Sequence, residues 1–503
     1  MSTVEDAIRI VASRDAVFFD PGAHKWTSSI PGKAPIRTHF GESRTVTKDQ
    51  EGNFVDASFI PKEEIDPDAI ASGYAETGRE KERPAQIDLR GCMLDHSALT
   101  RLSRGLGGNC FVKILSLSGN QLRDSEMSVL AGALVHNGCL TELNLSYNCI
   151  ATLGSTLLAT ALADNAHIRV LDLMHNRIGK DGIHPWLGKT LRANHVLQEL
   201  KLTHNAIGTH KANELLASLA PKIVTEEELI KTQIHHRRRT EMPTAVVART
   251  LVSPQIGNRV LNPDLFNTTL TTLLLANTGI SDEAAEHIAH VLAENQTLTH
   301  LDVSSNAFTD TGNAHIAIGL KHNKSLQYLN YSDNRMLEHT GVSIVHALQM
   351  HPTITTALFQ DCFSGSDVAA SIALLMRITK TLKMLDVSHC ALEPPGVVDF
   401  YRALGENATI ENLEMTCMGV KSDQAVAILA QCLAQNAALR LVDLSYNEIT
   451  LRGCKLLRDA AATHGARVFL SLEGNSGEKR ALGVTISGGM RPARVSETLF
   501  AST

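Results

Sequence analysis

One frame of apolar residues returns along most of this 503-residue chain at a nearly constant interval. It reads LxxLxLxxNxI in the stretch from Leu140 to Ile150. If the first position of each frame is its anchor, successive anchors lie 28 or 29 residues apart, except for one interval of 73 residues. A period of this length, repeated in thirteen units, predicts a solenoid of stacked units. The anchors are Pro84, Val112, Leu140, Ile168, Leu197, Leu270, Leu298, Leu326, Ile354, Leu382, Ile410, Leu439 and Arg467.

Each unit is expected to form a strand, a turn and a helix. Apolar residues at anchor +3 and +5, such as Leu143 and Leu145, alternate with polar ones as in a half-buried strand. The second half of a unit has helical spacing, as in Ala284, Ile288 and Leu292. Because no unit can bury its apolar face alone, neighbouring units must stack around one continuous core.

Position +8 is asparagine in eight units. The side-chain amide of an asparagine there is expected to satisfy backbone groups of the turn that leaves the strand. Strands about 4.8 Å apart, with wider helices outside, must curve, so thirteen strands line an inner arc on the order of 60 Å long. Such a surface suits a macromolecule rather than a metabolite. The asparagines are Asn120, Asn148, Asn176, Asn205, Asn306, Asn334, Asn447 and Asn475.

This 28-residue unit, with Asn or Cys at +8 and a full helix, resembles the ribonuclease-inhibitor type of leucine-rich repeat over roughly residues 84–477. Proteins with this repeat include the repeat regions of nucleotide-binding innate-immune receptors, the activating protein of the Ran GTPase, tropomodulin-like capping proteins and several ciliary subunits. The resemblance implies an α/β solenoid, a horseshoe of about thirteen repeats with parallel strands inside and helices outside. It also implies that the chain binds other proteins.

The repeat frame divides the chain into five parts. We expect a non-repeat arm and cap at 1–83, repeats one to five at 84–208, an insertion at 209–267, repeats six to thirteen at 268–477, and a tail at 478–503. A cap is expected before the first repeat because a solenoid must cover the apolar side of its terminal unit.

The insertion is basic within an acidic protein. The long interval exceeds one 28-residue period by 45 residues, and residues 221–263 hold seven Lys or Arg against four Asp or Glu. Its acidic start and basic end at 225–239 suit a helix. Because insertions in solenoids emerge on one face and often bind, we take His235, His236, Arg237, Arg238 and Arg239 as candidate partner contacts. The alternative is a solvated loop without any contact.

Acidic residues outnumber basic ones on the face that the strands are expected to turn inwards. Positions +2, +4 and +6 carry nine Asp or Glu, against Arg90 and Lys201. Such an excess would attract a basic partner and steer its approach. The alternative is that these residues are only the solvated face of the repeat. The candidate partner-binding residues are Glu142, Asp172, Glu199, Asp302, Asp386, Glu414 and Asp443.

Two histidines, His175 and His204, occupy +7 in adjacent units and are expected to lie about one strand spacing apart. Two histidines alone do not make a zinc site, which needs three or four ligands. We therefore predict surface imidazoles and no metal.

Composition and motifs argue against several other classes of function. A net charge of −6 and a pI of about 6.4 argue against specific nucleic-acid binding. No apolar run resembles a signal peptide or a membrane span, so no membrane contact is expected. Nine cysteines, an odd number without paired spacing, indicate a cytoplasmic compartment. No nucleotide-binding or catalytic motif occurs, so we predict no enzyme, no catalytic residue and no cofactor.

The sequence thus predicts a non-enzymatic scaffold or adaptor, a structural subunit of a larger cytoplasmic assembly such as the ciliary or flagellar axoneme. The axonemal placement rests on analogy with the ciliary relatives. An alternative is a regulator, an activating protein, of a small GTPase, although the tail here is basic where that family usually has an acidic one. An immune-type sensor is a third hypothesis, weakened because no nucleotide-binding module precedes the repeats. A fourth is contact between Arg237–Arg239 and the acidic tails of tubulin.

Overall fold

Every repeat adds one strand to a single parallel sheet. The computed structural model describes residues 85–110, 112–179, 186–220, 223–224, 260–261, 266–463 and 468–475, preceded by the strands β1 Val17–Asp20, β2 Lys25–Ser28, β3 Val46–Lys48 and β4 Phe54–Asp56. The sheet has thirteen strands in chain order, which are β5 Ala85–Asp88, β6 Val112–Ser116, β7 Glu142–Asn144, β8 Val170–Asp172, β9 Glu199–Lys201, β12 Thr272–Leu274, β13 His300–Asp302, β14 Tyr328–Asn330, β15 Thr356–Leu358, β17 Met384–Asp386, β19 Asn412–Glu414, β20 Leu441–Asp443 and β21 Phe469–Ser471. Four shorter strands are β10 Ile223–Val224, β11 Val260–Leu261, β16 Ser364–Gly365 and β18 Ala391–Leu392.

A helix follows each sheet strand from β5 to β20. Two helix starts have favourable capping chemistry: the Asp95 carboxylate accepts a hydrogen bond from the Ala98 N–H at 2.6 Å, and α10 begins at Pro394, where a missing N–H is harmless. In the described ranges the helices are α1 His96–Gly107, α2 Asp124–His136, α3 Thr152–Asp164, α4 Trp186–Ala193, α5 Thr209–Leu216, α6 Asp282–Glu294, α7 Asp310–His322, α8 Glu338–Gln349, α9 Ser366–Ile378, α10 Pro394–Glu406, α11 Asp423–Gln435 and α12 Leu451–Thr463.

The strands pair one full repeat apart. Leu143 of β7 pairs with Leu171 of β8, which pairs with Leu200 of β9. Leu200 then pairs with Leu273 of β12, across the long interval, so the insertion leaves the sheet uninterrupted. The leucines at +3 and +5 and the inward-facing helix residues form one continuous buried cluster. The predicted α/β solenoid with thirteen repeats is confirmed.

The inserted chain leaves the solenoid after the fifth repeat. Helix α5 falls within the range 209–267, yet Leu216 on it is buried in the core. At the other end, the Asn267 amide donates a 2.7 Å hydrogen bond to the carbonyl of Leu191 in the preceding repeat. Both ends of that range therefore belong to the repeats, and the antiparallel pair β10–β11 lies between them. The candidate cluster His235–Arg239 lies outside the described residues, as does the tail 478–503.

Two antiparallel hairpins, β1–β2 and β3–β4, precede the repeats. Strand β1 comes within 8 Å of β5, which is the first strand of the sheet. The role of the arm as a cap stays a prediction.

The asparagines at +8 form a hydrogen-bonded ladder between repeats. The Asn148 Nδ2 atom donates to the carbonyls of Leu117 and Leu145, both at 3.0 Å. Its Oδ1 atom accepts from the N–H groups of Asn120 and Leu122 at 2.9 and 3.0 Å. One amide thus satisfies four backbone groups in two repeats, which confirms the role predicted for this position.

A second ladder, not predicted from the sequence, lies three residues before the anchors. The Asn137 Nδ2 atom donates to the Leu106 carbonyl at 2.6 Å, and its Oδ1 atom accepts from the Leu140 N–H at 2.7 Å. His351 replaces asparagine in one repeat. Its Nδ1 atom accepts from the Ile354 N–H at 3.2 Å, whereas its buried Nε2 atom has no hydrogen-bond partner among the described residues. Buried asparagines of this ladder are Asn109, Asn137, Asn165, Asn194, Asn267, Asn295, Asn323, Asn407 and Asn436.

The first ladder changes in repeats nine and ten, where cysteine stands at +8. The Cys362 thiol donates to the Tyr331 carbonyl at 3.1 Å and the Cys390 thiol to the Phe359 carbonyl at 3.2 Å. A thiol cannot reproduce the four contacts of an amide. Here the backbone itself pairs instead, as β16 with β18.

Position +7 adopts the left-handed conformation in all thirteen repeats, with φ between 48° and 72°. Only three of these residues are glycine, and a non-glycine residue in this region is strained by roughly 1 kcal/mol. We call these residues the rim row. They are Gly91, Gly119, Tyr147, His175, His204, Asn277, Ser305, Asp333, Asp361, His389, Cys417, Tyr446 and Gly474.

Candidate protein-binding surface

The acidic candidates lie on the sheet strands, at the +2 and +4 positions. The structure brings Glu142, Asp172 and Glu199 together on the adjacent strands β7, β8 and β9. Glu414 and Asp443 form a separate pair of neighbours on β19 and β20. The remaining two, Asp302 and Asp386, lie between these groups on β13 and β17.

Four of the seven acidic candidates hold the backbone of their own repeat. Just past the end of the strand, the carbonyl at +5 of the preceding repeat is already bonded by the side chain at +8, such as Asn176 on Leu145, Asn447 on Met415 and Cys390 on Phe359. The aspartate at +4 accepts from the N–H at +6 instead. The N–H···Oδ1 distances are 3.0 Å for Met174 to Asp172, 2.9 Å for Ser304 to Asp302, 2.8 Å for Ser388 to Asp386 and 2.9 Å for Ser445 to Asp443.

Asn144 and Asn330 at +4 accept from the +6 N–H in the same way as aspartate, at 2.9 and 3.2 Å. Two other repeats use a hydroxyl of the preceding repeat. In the repeat with Leu358 at +4, the Gln360 N–H donates to the Ser332 hydroxyl of the preceding repeat at 3.2 Å. In the repeat with Glu414, the Thr416 N–H donates to the Ser388 hydroxyl at 3.1 Å. An aspartate at +4 is therefore a structural acceptor, and much of the acidic excess has this origin.

The centre of the concave side is apolar and tightly packed. Tyr328, Leu358 and Met384 form a cluster of their own, with 4%, 2% and 3% of each residue exposed. The flanking carboxyls of Asp302 and Asp386 are also buried, and burial raises the pKa of both. The expectation of an open acidic groove therefore does not hold at Asp302 and Asp386.

The acidic group on β7–β9 remains partly exposed. Burial and, secondly, the nearby Glu199 raise the pKa of Glu142, and burial raises the pKa of Asp172. Lys201, which forms a 3.5 Å ion pair with Glu199, is the one basic residue at +2 or +4 of these strands. This region therefore keeps a local excess of negative charge.

A stack of three rings borders this acidic group on the rim row. The centroids of the Tyr147 and His175 rings lie 4.2 Å apart with 13° between the planes, and those of His175 and His204 lie 4.0 Å apart with 22°. The proximity of the two histidines is confirmed. Burial, with a smaller contribution from His204, lowers the pKa of His175. In the described part of the chain, no group of three metal-ligating side chains is found.

The participation of Tyr147 in this stack was missed from the sequence. The signal was available, because Tyr147 stands at +7 in the repeat before His175. What the sequence did not provide was the uniform left-handed backbone of the rim row, which places consecutive side chains ring against ring.

Sequence comparison identifies leucine-rich repeats in this chain. A family model described as "Leucine Rich repeat" matches residues 108–131, 136–159, 164–184, 193–209, 266–289, 294–313 and 435–457. Together with the thirteen-stranded parallel sheet, these matches define a leucine-rich-repeat protein, and such repeats are a scaffold for binding other proteins. No curated protein matches the sequence.

Three solved structures matched by this chain have TM-scores below 0.5 and add no argument about its fold or function. A chain of the Rad7 and Elc1 complex in yeast is 14% identical with a TM-score of 0.45, and the alignment covers 80% of this chain and 90% of that one. Leiomodin-1 actin-binding site 2 is 19% identical with a TM-score of 0.24, covering 31% and 87%. The tropomodulin C-terminal domain of Caenorhabditis elegans is 13% identical with a TM-score of 0.23, covering the same shares. Over the described ranges, no helix is both long and apolar enough to cross a membrane.

Proposed function

We propose that this protein is a non-enzymatic scaffold that holds a basic segment of a partner protein against the concave side of repeats three to five. The observation that carries the proposal is the placement of Glu142, Asp172 and Glu199 on three adjacent strands with Lys201 as the one basic residue among them. Burial and, secondly, repulsion from Glu199 raise the pKa of Glu142, and a bound cation would offset that repulsion. Opposite charge would also steer the partner to this surface.

The scaffold would act as a structural subunit of a larger assembly, such as the ciliary or flagellar axoneme. The uninterrupted pairing of β9 with β12 supports this, because an insertion that leaves the sheet intact can make a second contact independently. The basic composition of 221–263 suits an acidic partner, for which tubulin is the candidate.

The test is native affinity purification of the tagged full-length protein beside three variants. Glu142→Lys should abolish recovery of partners held by the concave side, whereas Glu286→Lys, a matched charge reversal at an exposed site on α6, should not. Deletion of 222–262 should release the proteins that depend on the insertion while leaving the concave partner bound. Equal recovery by wild type and Glu142→Lys would contradict the concave assignment.

The GTPase alternative gives a different result in the same experiment. Recovery of a small GTPase, with a stimulated rate of GTP hydrolysis on addition of the pure protein, would replace the scaffold proposal by the regulator.

Contact with tubulin is tested separately by co-sedimentation with microtubules. Wild type should co-sediment in a salt-sensitive manner, and the triple variant Arg237→Glu/Arg238→Glu/Arg239→Glu should remain in the supernatant. Absence of binding by wild type would refute this contact.

A further inference from the structure

The three-ring stack on the rim row is closed at one end and open at the other. At the closed end, the His204 Nδ1 atom lies 2.7 Å from the Nδ2 atom of Asn277. At the open end, the two preceding rim positions are glycines, Gly91 and Gly119. The last ring, Tyr147, has 58% of its surface exposed.

A second tyrosine on the rim row, Tyr446, lies over the glycine of the repeat that follows it. A Cβ atom built on Gly474 would lie 2.3 Å from the Tyr446 ring, so that ring lies over its glycine neighbour. A Cβ atom built on Gly119 would meet only the backbone of Gly91, at 3.7 Å and beyond. Within the described residues, nothing from Tyr147 covers Gly119, and the outer face of the ring has room for another planar group.

We infer that the space over Gly119 is a docking slot for an arginine of a partner protein, whose guanidinium group would stack on Tyr147 and extend the row of rings. This inference rests on the scaffold function proposed above and specifies its partner. Arginine fits because a guanidinium is planar and cationic, stacks on a tyrosine face and tolerates partial exposure.

The neighbouring carboxylates define the rest of the partner segment. Glu142 lies five residues before Tyr147 in the same repeat, and because β7 ends at Asn144 the two are less than roughly 17 Å apart. A partner segment of no more than five extended residues would span this distance and place a second cation near Glu142. The slot therefore selects two basic residues spaced up to about five positions apart, the one at Tyr147 being arginine.

The probe is a fluorescein-labelled peptide of sequence Arg-Gly-Ser-Gly-Ser-Arg, titrated with the full-length protein and followed by fluorescence anisotropy. A second peptide carries lysine in place of both arginines and keeps the charge without the planar group. Wild type should bind the arginine peptide about threefold to tenfold more tightly than the lysine peptide, the range expected for one stacked cation.

Three variants decide the site. Tyr147→Ala should remove the preference for arginine, and Glu142→Gln should weaken both peptides equally. Gly119→His should fill the slot with the chain's own ring and weaken the arginine peptide to the level of the lysine peptide. This substitution keeps the fold because His175 and His204 already adopt the same left-handed conformation at equivalent positions. Tyr446→Ala is the matched control and should bind as wild type does, with melting temperatures confirming folding throughout.

The outcome is separable from that of the scaffold proposal. If wild type does not prefer arginine, or if Gly119→His binds unchanged, the slot is refuted even when affinity purification still recovers partners through Glu142. If purification recovers no partner at all, the scaffold function itself is refuted, and the slot with it.

Discussion

Repeats three to five and repeats eight to ten share one backbone frame, but the concave surface is acidic in the first group and apolar in the second. The first group places the half-buried acids Glu142, Asp172 and Glu199 on neighbouring strands. The second packs Tyr328, Leu358 and Met384 into an apolar cluster that is almost fully buried. The comparison shows that positions +3, +5 and +8 determine the fold, whereas +2, and +4 where it does not hold the +6 N–H, determine the character of the surface.

The two groups also hold their turns differently. Asn148 ties two repeats together through four hydrogen bonds, while in repeats nine and ten the thiols of Cys362 and Cys390 make weaker contacts and the β16–β18 pairing accompanies them. The solenoid therefore has two ways to close the turn after a strand, and they should differ in strength.

The largest effect is expected from Leu145→Asp in the core of repeat three. Leu145 is fully buried, so the substitution places an unpaired charge in the layer shared by neighbouring repeats. We expect a loss of at least about 4 kcal/mol of unfolding free energy, measured by urea denaturation. An unchanged melting curve would contradict the assignment of +5 to the core. Glu286→Lys serves as the control because Glu286 is exposed on a helix.

A direct comparison of the two turns comes from Asn148→Ala and Cys362→Ala. The first removes an amide that satisfies four buried backbone groups, and we expect a loss of about 3 kcal/mol. The second removes a weak thiol contact and should lose about 1 kcal/mol or less. Equal losses in urea denaturation would show that the cysteine repeats depend on their +8 residue as much as the others.

A pH-dependent effect is expected from His351→Asn in the second ladder. Burial lowers the pKa of His351 to about 4, so the unfolded chain binds a proton more readily than the folded one as the pH falls from about 6.5 to about 4. Wild type therefore loses stability across this window. Asparagine does not titrate and restores the amide found at this position in other repeats. The advantage of the variant should grow by on the order of 1 kcal/mol between pH 7 and pH 5. A constant difference across these pH values would show that His351 is not held neutral.

The smallest effect is expected from Asp386→Asn, because Oδ1 of an amide accepts from the +6 N–H as well as a carboxylate does. Asn330 already performs this role for the Ser332 N–H at 3.2 Å. We expect a change within about 0.5 kcal/mol at pH 7, whereas Asp386→Ala, which leaves the Ser388 N–H without its acceptor, should lose about 1–2 kcal/mol. A large loss for the asparagine variant would mean that the charge itself matters.

The fold could be predicted from the sequence because the same pattern of apolar residues and asparagine occurs independently in most repeats. The core leucines, the role of Asn148 and the proximity of His175 and His204 all follow from a fixed offset in a fixed period. The second ladder could have been suspected, because asparagine recurs three residues before most anchors. It was not predicted because its hydrogen bonds join these side chains to carbonyls of the preceding repeat, a contact that only the stacked structure shows.

The surface was harder to predict because exposure depends on the neighbours at +2 and +4 in adjacent repeats. Asp302 and Asp172 have the same identity and the same offset, yet Asp302 is buried and Asp172 is only half-buried. Their backbone role also makes aspartate frequent at +4 for reasons unrelated to a partner. A count of charged residues along a face therefore overstates the negative charge that is accessible to a partner.

The direct pairing of Leu200 with Leu273 has a consequence for how this protein can change over time. The sheet closes across the interval, so the solenoid holds β9 and β12 together whatever lies between them. For a flexible loop with fixed ends, doubling the length changes the closure free energy by only about 0.6 kcal/mol. Residues between β10 and β11 can therefore be lengthened, replaced or exchanged for another folded module with little penalty to the solenoid. At this point of the chain, new contacts can evolve while the strand pairing of the solenoid stays unchanged.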